Sequence, residues 1–189
     1  MGCDIHAVIE RKSTHRWLCS GDPDIGRNYE MFAALAGVRN RDGITPVAEP
    51  RGFPSFKDWV DGHSNGERWM RFATWEDQPC SSIVDKAETY GLDGHSHSWL
   101  TLAEIKAYDT DQVIYDSRLI LSRDKSGRAK ALCTATSGEH FGPVGKTKIL
   151  RWPGEEEPES WLRLIRYMEQ AKWDGQTDDE IRLVFFFDN

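Results

Sequence analysis

Hydrophobic and polar positions alternate at the start of the chain: Cys3, Ile5, Ala7 and Ile9 fall on one side, Asp4, His6, Val8 and Glu10 on the other. A period of two with β-branched residues predicts a strand. Its polar face would carry Asp4 and His6 together, about 7 Å apart along the strand. A second short strand is expected over residues 16–19, after a turn at Ser13-Thr14. Apart from Arg182, residues 181–187 are apolar at both parities, too apolar for exposure on either face. They predict a central strand beside the first, followed by Asp188 and Asn189.

Helical spacing dominates elsewhere. Asn28 is a good cap for a helix bearing Met31, Phe32, Leu35 and Ala36 on one face, stopped by Gly37. Residues 81–90 predict a helix ending at Gly91, and Thr101 with Glu104 predicts a capping box before Leu102, Ile105 and Tyr108. Pro158 opens the clearest stripe: Trp161, Leu164, Ile165, Met168 and Ala171. Ser55 with Asp58 suggests a short helix ending at Gly62, whereas the aromatics of residues 63–77 fit neither period. Asp124-Lys125-Ser126-Gly127 between two apolar runs predicts a hairpin, and residues 42–54 and 138–148 read as Gly- or Pro-rich loops. Strands outnumber crossover helices and do not alternate with them. The expected architecture is therefore α+β, a single domain over residues 1–189 with a mainly antiparallel sheet containing both terminal strands.

Composition narrows the class. In 189 residues, 39% are hydrophobic, with eight Trp and eight Phe, enough for a real core. The net charge of −7 has the wrong sign for coating a nucleic-acid backbone, but a few arginines suffice for a small nucleotide. The four cysteines show no CxxC spacing and read as reduced thiols, with Cys3 and Cys133 expected in the core. No apolar run approaches the roughly 20 residues of a membrane span, and no secretory leader is evident, so a cytoplasmic location is expected.

The candidate chemistry lies in Asp93-Gly94-His95-Ser96-His97-Ser98-Trp99-Leu100-Thr101, where an acid and two imidazoles fall within five residues of one another. Residues two apart share a side in extended structure, so these groups would converge. Asp4 and His6 would supply the other half of one polar site. Carboxylates with neutral imidazoles suit a divalent metal, zinc or manganese, with Asp4, His6, Asp93 and His95 as ligands. His97, the loop histidine His140 and Arg39 are candidates for catalysis. Arg27, Asn28, Tyr29, Arg51, Trp99 and Thr101 are candidates for ligand binding, through bidentate phosphate contacts, base stacking and a helix N-terminus. The plainer alternative is that Ser96, Ser98 and Thr101 cap the helix, that the histidines bond neighbouring carbonyls, and that the arginines pair with nearby acids.

Asp4-x-His6 and Gly94-His95-x-His97 resemble the first and last motifs of calcineurin-like metallophosphoesterases, whose equivalent segments ligate two metals. The two middle motifs of that family have no proper counterpart, which puts a two-metal centre in doubt. A second resemblance covers most of the chain: Met1-Gly2-Cys3-Asp4-Ile5-His6, Arg27-Asn28-Tyr29, Phe32-Ala33-x-Leu35-Ala36-Gly37-Val38-Arg39-Asn40, Pro50-Arg51-Gly52, Asp93-Gly94-His95-Ser96 and Trp99-Leu100-Thr101-Leu102 are similar to a family of bacteriophage and bacterial proteins. It implies a phage or phage-like origin and no particular chemistry. Two functions are therefore expected. One is a metal-dependent phosphodiester hydrolase acting on a small nucleotide, for instance one that removes a host signal in an anti-defence role. The other is a non-catalytic protein that sequesters such a nucleotide in the same pocket. The expected partner is that small ligand, with no extended nucleic acid and no membrane; homo-oligomerisation is left open.

Overall fold

The computed structural model describes residues 2–123, 129–133, 144–151 and 155–189, with residues 115–123, 129–133, 144 and 145 described by their backbone alone. Four strands form the main sheet: β1 (Asp4–Lys12), β2 (Trp17–Gly21), β5 (His95–Thr101) and β9 (Ile181–Asp188), in the order β2-β1-β9-β5. All neighbours are antiparallel. The last strand is central and pairs with the first, Asp4 opposite Asp188 and Arg11 opposite Ile181. This is the α+β arrangement expected, with both terminal strands in one sheet.

Strand β9 is buried at every position from Ile181 to Phe187 because both faces of the sheet are covered. Leu183, Phe185 and Phe187 join Cys3, Ala7 and Ile9 in one core. That core is closed by α1 (Tyr29–Ala36), α3 (Leu102–Ala107) and α4 (Glu159–Gln170). Val184 and Phe186 face the other way with Val8, against α2 (Ser81–Tyr90) and the hairpin of β3 (Phe56–Asp61) and β4 (Arg68–Phe72). A smaller antiparallel sheet consists of β6 (Val113–Arg123), β7 (Ala129–Cys133) and β8 (Val144–Lys148), with β6 in the middle.

The caps follow the sequence. The Asn28 side chain accepts from the backbone N–H of Glu30 and Met31, Gly37 turns left-handed at φ 68°, and Thr101 and Glu104 form a capping box. Two expectations fail. The segment expected as a helix after Ser55 is strand β3, and the ambiguous stretch after it contains its partner β4. The register slips between Phe56 and Asp58. That slip breaks the alternation, so Phe56 and Trp59 both reach the second core despite their odd spacing. Residues 144–148, expected as loop, form β8, since Val113 to Asp116 of β6 supply the missing ladder. The turn at residues 124–127 lies outside the described residues.

One charged residue interrupts β9. Arg182 is 3% exposed and donates through Nε to Glu10 at 2.7 Å, itself fully buried. The pair also holds the chain before α2: Arg182 Nη2 donates to the Asp77 carbonyl, and Glu10 accepts from the Cys80 backbone N–H. The guanidinium carbon lies 3.9 Å from the centroid of the Trp17 ring. Removing one partner strands a buried charge, so Glu10→Ala is expected to lower stability by about 3–5 kcal/mol in urea denaturation. A loss below about 1 kcal/mol would show that the pair is dispensable.

Candidate functional site

The register places Asp4, His6 and Asp188 together at one end of the sheet. Asp188 accepts from the backbone N–H of Asp4 at 3.1 Å through Oδ1, and its Oδ2 lies 3.2 Å from His6 Nε2. The imidazole packs against Tyr90 at 4.5 Å between ring centroids and stacks on Phe186 at 4.8 Å. Asp4 faces Arg27, which donates to both carboxylate oxygens at 2.7 and 2.6 Å. Those bonds hold the Asp4 carboxyl below its usual pKa, with the guanidinium charge adding to the effect, and raise that of Arg27. Both side chains are about half exposed, at 49% and 54%.

Gly2 belongs to this cluster for a steric reason. A Cβ there would lie 2.8 Å from Arg27 Nη1, and the bidentate pairing leaves Arg27 little room to retreat. Arg39, at φ 56°, donates to the Gly2 carbonyl at 3.3 Å and to Asn189 Oδ1 at 3.0 Å. Cys3 is buried on the opposite face, where desolvation raises its thiol pKa despite the nearby Arg39.

The second half of the expected site does not converge as the spacing suggested. Ser96, at φ 51°, is the extra residue of a bulge between His95 and Ser98. His95 therefore pairs opposite Phe187 and stacks on it, while His97 stacks on Phe186. Those two phenylalanines belong to cores on opposite sides of the sheet. His97 is enclosed by Phe53, Trp59 and Phe186. Burial lowers its pKa to about 4, with His95 adding a smaller effect in the same direction. Its Nε2 and that of His95 are buried without a hydrogen-bond partner among the described residues.

Asp4, His6, Asp93 and His95, the expected metal ligands, are not gathered into one group among the described residues. Strand β9 lies between β1 and β5. Asp4 is committed to Arg27 and His6 to Asp188, and Asp93 follows α2, its backbone N–H donating to the Tyr90 carbonyl. Among the described residues no three His, Cys, Asp or Glu side chains are grouped to hold a metal.

The ligand-binding candidates also divide. Arg27 pairs with Asp4, and the two residues after it open α1, with the Asn28 oxygen used as the cap and Tyr29 41% exposed. Arg51 instead pairs with Glu104 at 2.6 Å and lies 4.7 Å from the Trp99 ring centroid. Burial works against ionisation of Glu104, but the bonds from Arg51 and Thr101 outweigh it and lower its pKa. Thr101 pairs with Arg182, six residues from Asp188 on β9, or roughly 20 Å along the strand. Its hydroxyl is taken up by the capping box, so it offers no anion site next to Asp4. His140 lies outside the described residues. Tyr90 and Asn189 escaped the sequence reading, as neither carries a local pattern. Asp188 was accessible from the expected pairing of the terminal strands.

Comparison with protein families, curated proteins and solved structures finds no match. Among the described residues no helix is long and apolar enough to cross a membrane.

The His97 environment sets a pH dependence. The folded pKa of about 4 lies below the ordinary 6.5, so the unfolded chain binds the proton first. The associated stability is present above pH 6.5 and is lost as pH falls towards 4, by up to about 3 kcal/mol. His97→Phe suits the aromatic surroundings and is expected to flatten this part of the profile in urea melts at pH 7.0 and about 4.5; an unchanged slope would place the titration elsewhere.

Proposed function

We propose that the protein binds a small nucleotide-like anion at the Asp4–Arg27 end of the sheet and sequesters it. The supporting observation is the half-exposed Arg27 guanidinium, held by both Asp4 oxygens two residues before the exposed Tyr29. Arg27 has a fork geometry suited to phosphate oxygens, and an exposed ring offers a stacking surface for a base. Binding would require the phosphate to compete with Asp4, a pairing that solvent already weakens. Sequestration of a host nucleotide signal is a role consistent with the resemblance to phage proteins.

A second reading rests on the contact between Asp188 and His6. A carboxylate that orients an imidazole makes it a competent general base, able to take a proton from water attacking a phosphoester. Arg27 would then offset charge developing on the phosphoryl oxygens. No step in this reading uses a metal.

The test is calorimetry with a panel of cyclic and linear nucleotides, using protein purified without a polyhistidine tag, followed by mass spectrometry of the recovered ligand. The expected result is stoichiometric binding, intact ligand and no effect of EDTA. Arg27→Gln should weaken binding roughly tenfold or more, the scale of a hydrogen bond to a charged group. Cleavage that survives EDTA and disappears in Asp188→Asn would favour the second reading. Absence of binding across the panel would overturn both.

A further inference from the structure

Two cysteines far apart in the chain meet beside the buried Glu10. Cys19 stands opposite Glu10 in the β1–β2 ladder, so both side chains leave the same face of the sheet. Glu10 also accepts from the backbone N–H of Cys80, the N-cap of α2. The Ser82 hydroxyl, in the first turn of α2, joins the two thiols: it lies 3.1 Å from Cys80 Sγ and donates to Cys19 Sγ at 4.0 Å. Both sulfurs therefore touch one oxygen atom. Cys19 is exposed, Cys80 is partly buried, and both are free thiols. Cys3 is buried in the core on the other face of the sheet, away from this pair.

We infer that Cys19 and Cys80 close a disulfide when the protein meets a low-molecular-weight disulfide such as oxidised glutathione, clamping the chain before α2 onto the edge strand β2. The Cys19 thiolate attacks one sulfur of glutathione disulfide; that S–S bond breaks, and one glutathione leaves and takes up the proton Cys19 lost. The Cys80 thiolate then attacks Cys19 Sγ, and the second glutathione leaves with the Cys80 proton. Two protein thiols are oxidised and one glutathione disulfide is reduced. The order follows from access. Cys19 faces solvent, whereas burial, with the Glu10 carboxylate adding to it, pushes the Cys80 thiol pKa up to about 12. The sulfurs must close to about 2 Å, a movement that the exposed Cys19 side chain on an edge strand can make. A poorly acidic Cys80 is also a poor leaving group, so a reductant attacking the exposed Cys19 sulfur reopens the bond slowly. Once closed, the bond reinforces the contacts by which Glu10 and Arg182 hold Cys80 and Asp77.

The test starts from reduced protein freed of reductant, exposed to oxidised glutathione, quenched with N-ethylmaleimide and digested with trypsin for mass spectrometry. The expected product joins peptide 17–27 to peptide 72–86 within one chain, and dithiothreitol separates them. Cys80→Ser should stop at glutathione bound to Cys19, and Cys19→Ser should leave Cys80 unmodified over the same interval. Ring closure in the native protein should be at least about tenfold faster than in concentrated urea, because the fold holds the thiols together. Oxidised protein should melt roughly 5–10 °C above reduced protein, from closure of a loop of about 60 residues. Glutathione left on Cys19 in the wild-type protein, linkage between chains, closure no faster than in urea, or a melting point no higher than that of the reduced form would overturn the inference. The rate and melting comparisons use the wild-type chain, so they decide the matter even if a variant fails to fold.

Discussion

Burial of β9 on both faces is the constraint from which the rest of the structure follows. Seven consecutive residues without exposure require side-chain cover above and below. Their backbone groups need partners on both edges, because an unpaired buried amide is costly. Strands β1 and β5 provide the edges. Helices α1, α3 and α4 cover one face, and α2 with the β3–β4 hairpin covers the other. Both ends of the chain are thereby fixed at one edge of the molecule's core, and the polar cluster around Asp4 and Asp188 is a consequence of that pairing.

Along β1 and β9 the same register produces two different polar environments. At one end Glu10 and Arg182 are closed off from water and satisfied by each other and by the chain before α2. At the other, Asp4 and Arg27 are half in solvent, and His6 and Asp188 lie just beneath them. The first arrangement joins a loop to the sheet. The second keeps charged groups oriented where a ligand can reach them.

The bulge at Ser96 has the largest effect on chemistry. One additional residue sends His95 and His97 to opposite faces and puts His97 among aromatic rings, where it stays neutral through the physiological range. A motif that looks like three converging ligands thus becomes one core histidine, one histidine stacked on Phe187, and an acid near the end of α2. The acid–imidazole pair that does form, His6 with Asp188, joins residues 182 positions apart.

Much of the architecture was written in local patterns. Alternation in β1, the apolar run of β9, broken only by Arg182, the caps at Asn28 and Thr101 and the stripe of α4 each follow from a period or a single hydrogen-bonding side chain. Those signals are local, so they survive without knowledge of the fold. The central place of β9 also followed, because no exposed surface tolerates six apolar residues in seven positions. The pairing of Asp4 with Arg27, the contact of Tyr90 with His6, and the divergence of His95 and His97 depended on tertiary structure. The first two are set by how a loop and a helix pack on the sheet, the third by register, and register is decided where strands meet: a one-residue bulge at Ser96 or a slip at Phe56 leaves no trace in composition yet exchanges the two faces of the sheet.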